Sequence, residues 1–250
     1  MDRRYRTLVA AWFFALAAAC FAQDKASIEF EFKVFGVGHD HYDGLYYYND
    51  ETFEPLEFHR THRSARTYKY EGPLTFAIYV KNPAYTAADP QSKPYVKISE
   101  STPPVGVKRQ LIVFAASPLN RQKNDHQRRF SLYHIDDNQA VFRRNMIVFV
   151  NTTGAELYGR VGDSQISLPT GHSSPIRYTS EKSNNKTTIA FALETKQGAK
   201  LVMSNDLKIP DNRRVLLILE PPRRPGSLRT GVRMLSESIF PEEEQETALD

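Results

Sequence analysis

Cysteine is nearly missing from this chain: Cys20 is the only one in 250 residues. One thiol makes no internal disulfide and no thiolate zinc cage, and if an N-terminal leader is removed the mature chain has none for a Cys/His nucleophilic pair. No Gly-x-Ser-x-Gly elbow and no glycine-rich phosphate loop occur, so the usual signatures of α/β-hydrolases and nucleotide binders are absent. No long stretch repeats its apolar residues every 3.6 positions, and little helix is expected. What the chain has instead is aromatic content, 13 Tyr and 15 Phe within 40% hydrophobic residues. That content supports a real core and favours strands.

The N-terminus reads as an export leader. Arg3, Arg4 and Arg6 precede the apolar segment Leu8 to Phe21, which ends in small residues before Gln23-Asp24. This is the charged, apolar and cleavage-site order of a Sec-type secretory signal, with the cut expected after Ala22. The apolar segment is too short to span a bilayer comfortably, and no transmembrane span is expected once it is removed. A second reading makes Cys20 the lipidated first residue of a lipoprotein; it is weakened by Ala17 standing where a bulky aliphatic residue is usual. Arg3-Arg4 lacks the surroundings of a twin-arginine signal. The expected location is periplasmic or extracellular.

Formal net charge is +4. The leader takes away three Arg and one Asp, leaving +2. Glu242, Glu243, Glu244, Glu246 and Asp250 crowd the C-terminus; without those five acids the body stands at +7. A basic body thus faces an acidic tail. Nucleic acid is the common partner of basic proteins, but an exported chain rarely meets it. A solvated basic face or an anionic envelope polymer fits the compartment better.

Two apolar runs organise the rest. Arg109-Gln110-Leu111-Ile112-Val113-Phe114-Ala115-Ala116-Ser117-Pro118 recurs 104 residues later as Arg213-Arg214-Val215-Leu216-Leu217-Ile218-Leu219-Glu220-Pro221-Pro222. Short, β-rich and apolar at successive positions, each reads as a strand buried on both faces. Around them Ile28 to Val34 alternates apolar with charged, Leu45 to Tyr48 follows a turn at Asp43-Gly44, and Arg66 to Tyr70 alternates until Glu71-Gly72-Pro73 turns the chain. Leu74 to Val80 puts Phe76, Ile78 and Val80 on one face. Tyr95 to Ile98 and Phe130 to Ile135 are further strands, and Asp136-Asp137-Asn138 reads as a turn.

After that turn the order restarts. Met146–Val150 resembles Lys33–Val37, Leu157-Tyr158 resembles Leu45-Tyr46 at an offset of 112, and Thr188–Phe191 resembles Thr75–Ile78 at 113. Ser131–Ile135 matches Gly231–Leu235 at 100. The falling offset is absorbed in loops longer in the first copy, 82–94 and 119–129. The expected fold is therefore all-β: two tandem antiparallel β-sandwich domains from an internal duplication. The boundaries are a leader over 1–22, sandwiches over 23–139 and 140–240, and a disordered acidic tail over 241–250.

Val34-Phe35, Arg63-Ser64 ahead of Tyr68–Pro73, the Arg109–Pro118 run, Ile135-Asp136-Asp137 and Val148–Asn151 with Gly154 together resemble a family of uncharacterised exported bacterial proteins. The resemblance implies an exported all-β protein. It transfers no catalytic residues and no substrate.

The most chemical-looking stretch is Gly38-His39-Asp40-His41-Tyr42-Asp43. On a strand His39 and His41 share a face at a spacing that chelates a metal, with Asp43 as a further candidate ligand. A cupin-type set fails, because Leu45 and Tyr46 stand where the carboxylate belongs. His59 and His62 would point opposite ways on a strand. The acid spacing of an EF-hand is absent. Asp136-Asp137 does not form a glycosidase pair, since neighbours on a strand point apart.

Leu45-Tyr46-Tyr47-Tyr48 forces at least one tyrosine outward on a strand, where it stacks on sugars or anchors protein contacts, or else lies flat on a sandwich edge with a wet hydroxyl. Arg121-Gln122-Lys123 with Arg128-Arg129, and Arg223-Arg224 with Arg229, follow equivalent strands and make two basic loops. The sequence thus points to a non-enzymatic envelope interaction or scaffold protein, with no cofactor. A glycan-binding or glycan-processing protein using Tyr46, Tyr47, Tyr48, His39 and His41 is the second reading, and a metal-binding protein using the His39–Asp43 loop the third.

Overall fold

The computed structural model describes residues 27–38, 42–59, 61–89, 91–116, 129–178, 186–209, 212–222, 224 and 226–239. The leader with Cys20, the pair His39 and His41, most of the basic loop after Pro118, Arg223, and the acidic tail lie outside the described residues.

Every regular element among the described residues is a strand. The first eight are β1 (Ser27–Val37), β2 (Tyr46–Asn49), β3 (Thr52–Pro55), β4 (Tyr68–Pro73), β5 (Phe76–Lys81), β6 (Tyr95–Ser101), β7 (Arg109–Ala116) and β8 (Phe130–Asp136). Nine follow: β9 (Met146–Asn151), β10 (Leu157–Val161), β11 (Ser164–Leu168), β12 (Gly171–His172), β13 (Ile176–Arg177), β14 (Lys186–Thr195), β15 (Gly198–Lys208), β16 (Arg213–Glu220) and β17 (Gly231–Ser238). They form four sheets. Sheet A runs β4-β1-β7-β8 and sheet B β3-β2-β5-β6; sheet C runs β12-β9-β16-β17, with β13 also on β9, and sheet D β11-β10-β14-β15.

Sheets C and D repeat the strand order of A and B, and the correspondence reaches single residues. Tyr47 pairs with Ile78 in B, and Gly159 with Phe191 in D, which are the sequence offsets of 112 and 113. A register shift falls between Ile78 and Tyr79 in one copy and between Phe191 and Ala192 in the other. This shared detail suggests a duplicated segment.

Three expectations need correction. The sandwiches are not purely antiparallel: β1 pairs with β7, and β9 with β16, in parallel. The chain leaves β1, builds sheet B, and returns to sheet A in the same direction, which a long crossover permits and a hairpin does not. The offset of 104 between the buried runs is also out of phase. Val34 pairs with Ile112 and Ile147 with Val215, so Ile112 corresponds to Val215, 103 positions on. A one-residue slip exchanges the two faces of a strand. Runs apolar at every position carry no alternation to reveal it. In addition, β4 continues through Glu71-Gly72-Pro73 instead of turning there.

The faces explain the doubly buried runs. Phe30, Phe32, Val34, Ile112 and Phe114 of sheet A meet Tyr47, Phe76, Ile78 and Val80 of sheet B, with Leu45 just before β2. Ile147, Phe149, Val215, Leu217 and Leu219 of C meet Leu157, Ile189, Phe191 and Val202 of D. A third apolar layer joins A to C: Phe35, Val37, Leu111, Val113 and Ile135 with Val148, Val150, Leu216, Ile218 and Leu235. The sheets therefore stack B-A-C-D, and β7 and β16 each feed two layers. Leu111, Ile112, Val113 and Phe114 are all 0% exposed; each such side chain stabilises the fold by about 1.5–3 kcal/mol relative to leaving it in water. The two units are fused through a core and do not swing as separate beads.

The turn expected at Asp136-Asp137-Asn138 hides a buried group. Asp137 is 6% exposed and pairs with Arg63 of the first unit and Arg214 of the second.

Candidate functional site: an aromatic face on sheet B

Strand alternation sorts the three tyrosines of β2. Tyr47 points into the A/B core at 0% exposed, and its hydroxyl donates to Glu54 Oε2 at 3.1 Å and the Lys69 carbonyl at 3.0 Å. Burial pushes its hydroxyl well above the usual phenol range, helped by the Glu54 carboxylate. It is a core residue and is not placed to touch a ligand. Tyr46 and Tyr48 point the other way, to the outer face of sheet B.

They are joined there by residues from every strand of the sheet. Tyr48 meets Phe53 of β3 with ring centroids 5.0 Å apart, and Phe53 meets Tyr79 of β5 edge-on at 5.0 Å. Tyr95 of β6 stacks on Phe53 at 4.0 Å and 16°, and contacts Tyr46 at 5.0 Å. Phe53 and Tyr95 come from the two edge strands, so their rings meet across the middle of the sheet. Lys81 Nζ lies 5.8 Å from the Tyr46 ring centroid, a cation at the rim. Tyr48 is 38% exposed, and the other four are half-buried against one another. Tyr79 is held above the ordinary phenol pKa, chiefly by burial.

Alternation within β2 puts Tyr46 and Tyr48 on one face, and Tyr79 joins them through its pairing with Tyr46. Phe53 and Tyr95 sit at strand ends in short segments, and only the pairing of β2 with β3 and of β5 with β6 shows that they belong. The hairpin beside this face is strained: Asp50 and Glu51 both have positive φ, 39° and 67°, between the paired residues Asn49 and Thr52. That is the backbone of a type I′ turn, in which glycine or asparagine is the easy occupant.

The equivalent face of sheet D is stripped of rings. By register, Tyr48, Phe53, Tyr79 and Tyr95 correspond to Arg160, Gln165, Ala192 and Ala199, and only Tyr46 keeps a tyrosine, Tyr158. A shallow groove of about 600 Å³ runs there, lined by Tyr158, Arg160, Gln165, Ala190, Ala192 and Leu201. A sheet of this strand order does not need the aromatic layer, because sheet D does without it.

The other candidates fare differently. Asp43 is exposed in the turn with Gly44, whose φ of 71° suits glycine. Among the described residues no three His, Cys, Asp or Glu side chains gather as metal ligands. His59 and His62 do not face apart: residues 56–59 and 61–67 lie outside strands, and their Nδ1 atoms approach to 3.1 Å, both within reach of Thr61 Oγ1. Tyr42, which follows His41, stacks on Phe58 at 4.9 Å and donates its hydroxyl to the carbonyls of Val37 and Phe114.

One relay has no local signal in the sequence. His134 on β8 has Nε2 2.7 Å from Ser101 Oγ and Nδ1 2.7 Å from Gln110 Oε1. The Gln110 oxygen can only accept, so Nδ1 carries the proton and Nε2 accepts from Ser101. The order is that of a nucleophilic triad, but the electrostatics are not. The third member is neutral, Phe30 and Phe76 stand edge-on to the imidazole, and burial, then His172, depresses its pKa to about 4. The carboxylate that steadies the imidazolium in a Ser-His-Asp set is replaced here by the neutral amide of Gln110. The relay ties β6 to β7 and β8.

No helix among the described residues is long and apolar enough to cross a membrane. No family model matches the chain, and no curated protein matches it.

Proposed function

We propose that this is an exported, non-enzymatic binding protein of the cell envelope that holds a glycan strand on the outer face of sheet B. The exported setting rests on the leader-like N-terminus. The observation that carries the binding role is the layer of Tyr46, Tyr48, Phe53, Tyr79 and Tyr95 on a solvent-facing sheet. A contiguous apolar patch on an outer surface marks a contact site, and a rigid sheet presents its rings without an ordering cost. Four of the five rings are tyrosines, which offer an apolar face to a sugar ring and a hydroxyl to its edges. Lys81 supplies a polar contact at the rim.

The duplicated scaffold supports the same reading. Two sandwiches share a core, and one outer sheet keeps an aromatic layer that the other lacks, as expected when one copy carries the ligand and the other completes the scaffold. The test is affinity electrophoresis through gels cast with envelope polysaccharides, together with co-sedimentation with purified cell-wall glycan. Retardation or sedimentation of wild type that is lost in Tyr48→Ala and Phe53→Ala supports the proposal. Binding that survives both substitutions, or an envelope extract in which only a protein is retained on this face, overturns it.

A further inference from the structure

We propose that the cleft between the two units, at the end of the A/C layer, is a binding site for a small oxyanion, a phosphate or a carboxylate. A cavity of about 230 Å³ opens there, lined among others by Lys33, Arg63, Arg109, Gln110, Asp137 and Arg214. Its walls come from both units: β1 and β7 of the first, and the start of β16 of the second. At roughly 30 Å³ per water it has room for about seven waters, or one phosphate or dicarboxylate with its solvent. Clefts between packed units are favoured positions for ligands.

Cations outnumber carboxylates among the side chains that line the cleft. Four cations line it against one carboxylate. Asp137 is already shared, with Arg63 Nη1 2.6 Å from Oδ2 and Arg214 Nη2 3.0 Å from Oδ1, the second an ion pair without hydrogen-bond alignment. Glu237 also serves both arginines, accepting from Arg63 Nη2 and from Arg214 Nε at 3.1 Å. Arg214 is then fixed against the Phe142 ring, 5.2 Å from its centroid. The carboxylates are thus consumed in holding the two arginines.

Three donors are left over. Arg63 Nε is buried without an acceptor. Lys33 makes no ion pair among the described residues, and Arg109 reaches only Glu31, at 3.9 Å. A buried donor without a partner costs about 1–3 kcal/mol, and an oxyanion offers several acceptors to converging cations at once. Arg63 and Arg214, locked by their carboxylates, form a rigid floor, while Lys33 and Arg109 close over the ligand from the rim.

Isothermal titration of the full chain with inorganic phosphate, and separately with malonate, at low ionic strength tests this. The rim variant Lys33→Gln/Arg109→Gln leaves the buried pairs intact, and its fold is checked by circular dichroism. The expected result is saturable binding by wild type that is weakened about tenfold or more in the rim variant, since each lost charged hydrogen bond is worth about 1.5–3 kcal/mol. Lys200→Gln, on the distant hairpin of β14 and β15, binds as wild type does. A chain ended after Pro241 distinguishes the sources of the anion. Tighter binding there identifies the carboxylates of residues 242–250 as the resident anion, and unchanged binding identifies a free one. No saturable heat with either probe, or equal affinity in wild type and the rim variant, overturns the site.

Discussion

Val113→Ala separates a four-layer stack from two linked sandwiches. Val113 and Ile112 are neighbours on β7, both 0% exposed, but Ile112 faces sheet B and Val113 faces sheet C. If the units were separate, Val113 would lie on an outer face, and shortening it would change stability by less than about 0.5 kcal/mol. In the stack two buried methyl groups are lost, about 1.6 kcal/mol of transfer free energy at 0.8 per carbon, plus a cavity contribution that brings the total to about 2–3 kcal/mol. Val113→Asp is harsher: a buried carboxyl without a partner shifts by about 3–5 pKa units and stays protonated in the fold, which alone costs about 4 kcal/mol at neutral pH. Urea unfolding followed by far-ultraviolet circular dichroism gives the difference from the midpoint at constant slope. The expected outcome is a single transition, a loss of about 2–3 kcal/mol in Val113→Ala, and a melting temperature about 4–12 °C lower for a chain of this size. A loss below about 0.5 kcal/mol in Val113→Ala, with Ile112→Ala losing its full share, would refute the shared core.

Two further predictions concern local chemistry. His134 is buried neutral, its pKa depressed from 6.5 to about 4, so the unfolded chain binds its proton first as pH falls; stability is fully present above pH 6.5 and declines by about 3 kcal/mol between there and pH 4. His134→Gln removes that part of the slope in pH-dependent urea unfolding, while His172, also lowered by burial, leaves a residual slope of the same sign; an unaltered slope contradicts the buried neutral imidazole. Glu51→Gly at φ 67° relieves a left-handed residue and raises stability by about 0.5–1 kcal/mol; a loss of melting temperature contradicts the type I′ turn.

The class of the fold was legible because its signals are local. Alternation at Phe76, Ile78 and Val80 and the unbroken runs at 111–114 and 215–219 read directly as half-buried and fully buried strands. The likeness of the two halves was legible too where side chains differ along the strand, as at Leu45/Leu157 and Ile78/Phe191. It slipped by one in the buried runs, where any phase looks equally apolar. Parallel pairing of β1 with β7 was not legible, since nothing local in either strand records its neighbour's direction. The same limit governs the sites. Tyr46 and Tyr48 stood out as consecutive aromatics, but Phe53 and Tyr95 join them only through pairing across the sheet. Asp137 looked like a turn residue because Arg63 and Arg214, its partners 74 and 77 positions away, are invisible to a local reading.

Binding of purified cell-wall glycan by the full chain and by Tyr48→Ala/Phe53→Ala tests the central claim most directly. Both residues sit on the outer face, so the double variant should fold with unchanged circular dichroism, while its apparent affinity falls about 30-fold or more, the effect of losing about 2 kcal/mol or more at a contact hot spot. Equal sedimentation of wild type and the double variant with glycan would contradict the claim that this face is where the protein does its work.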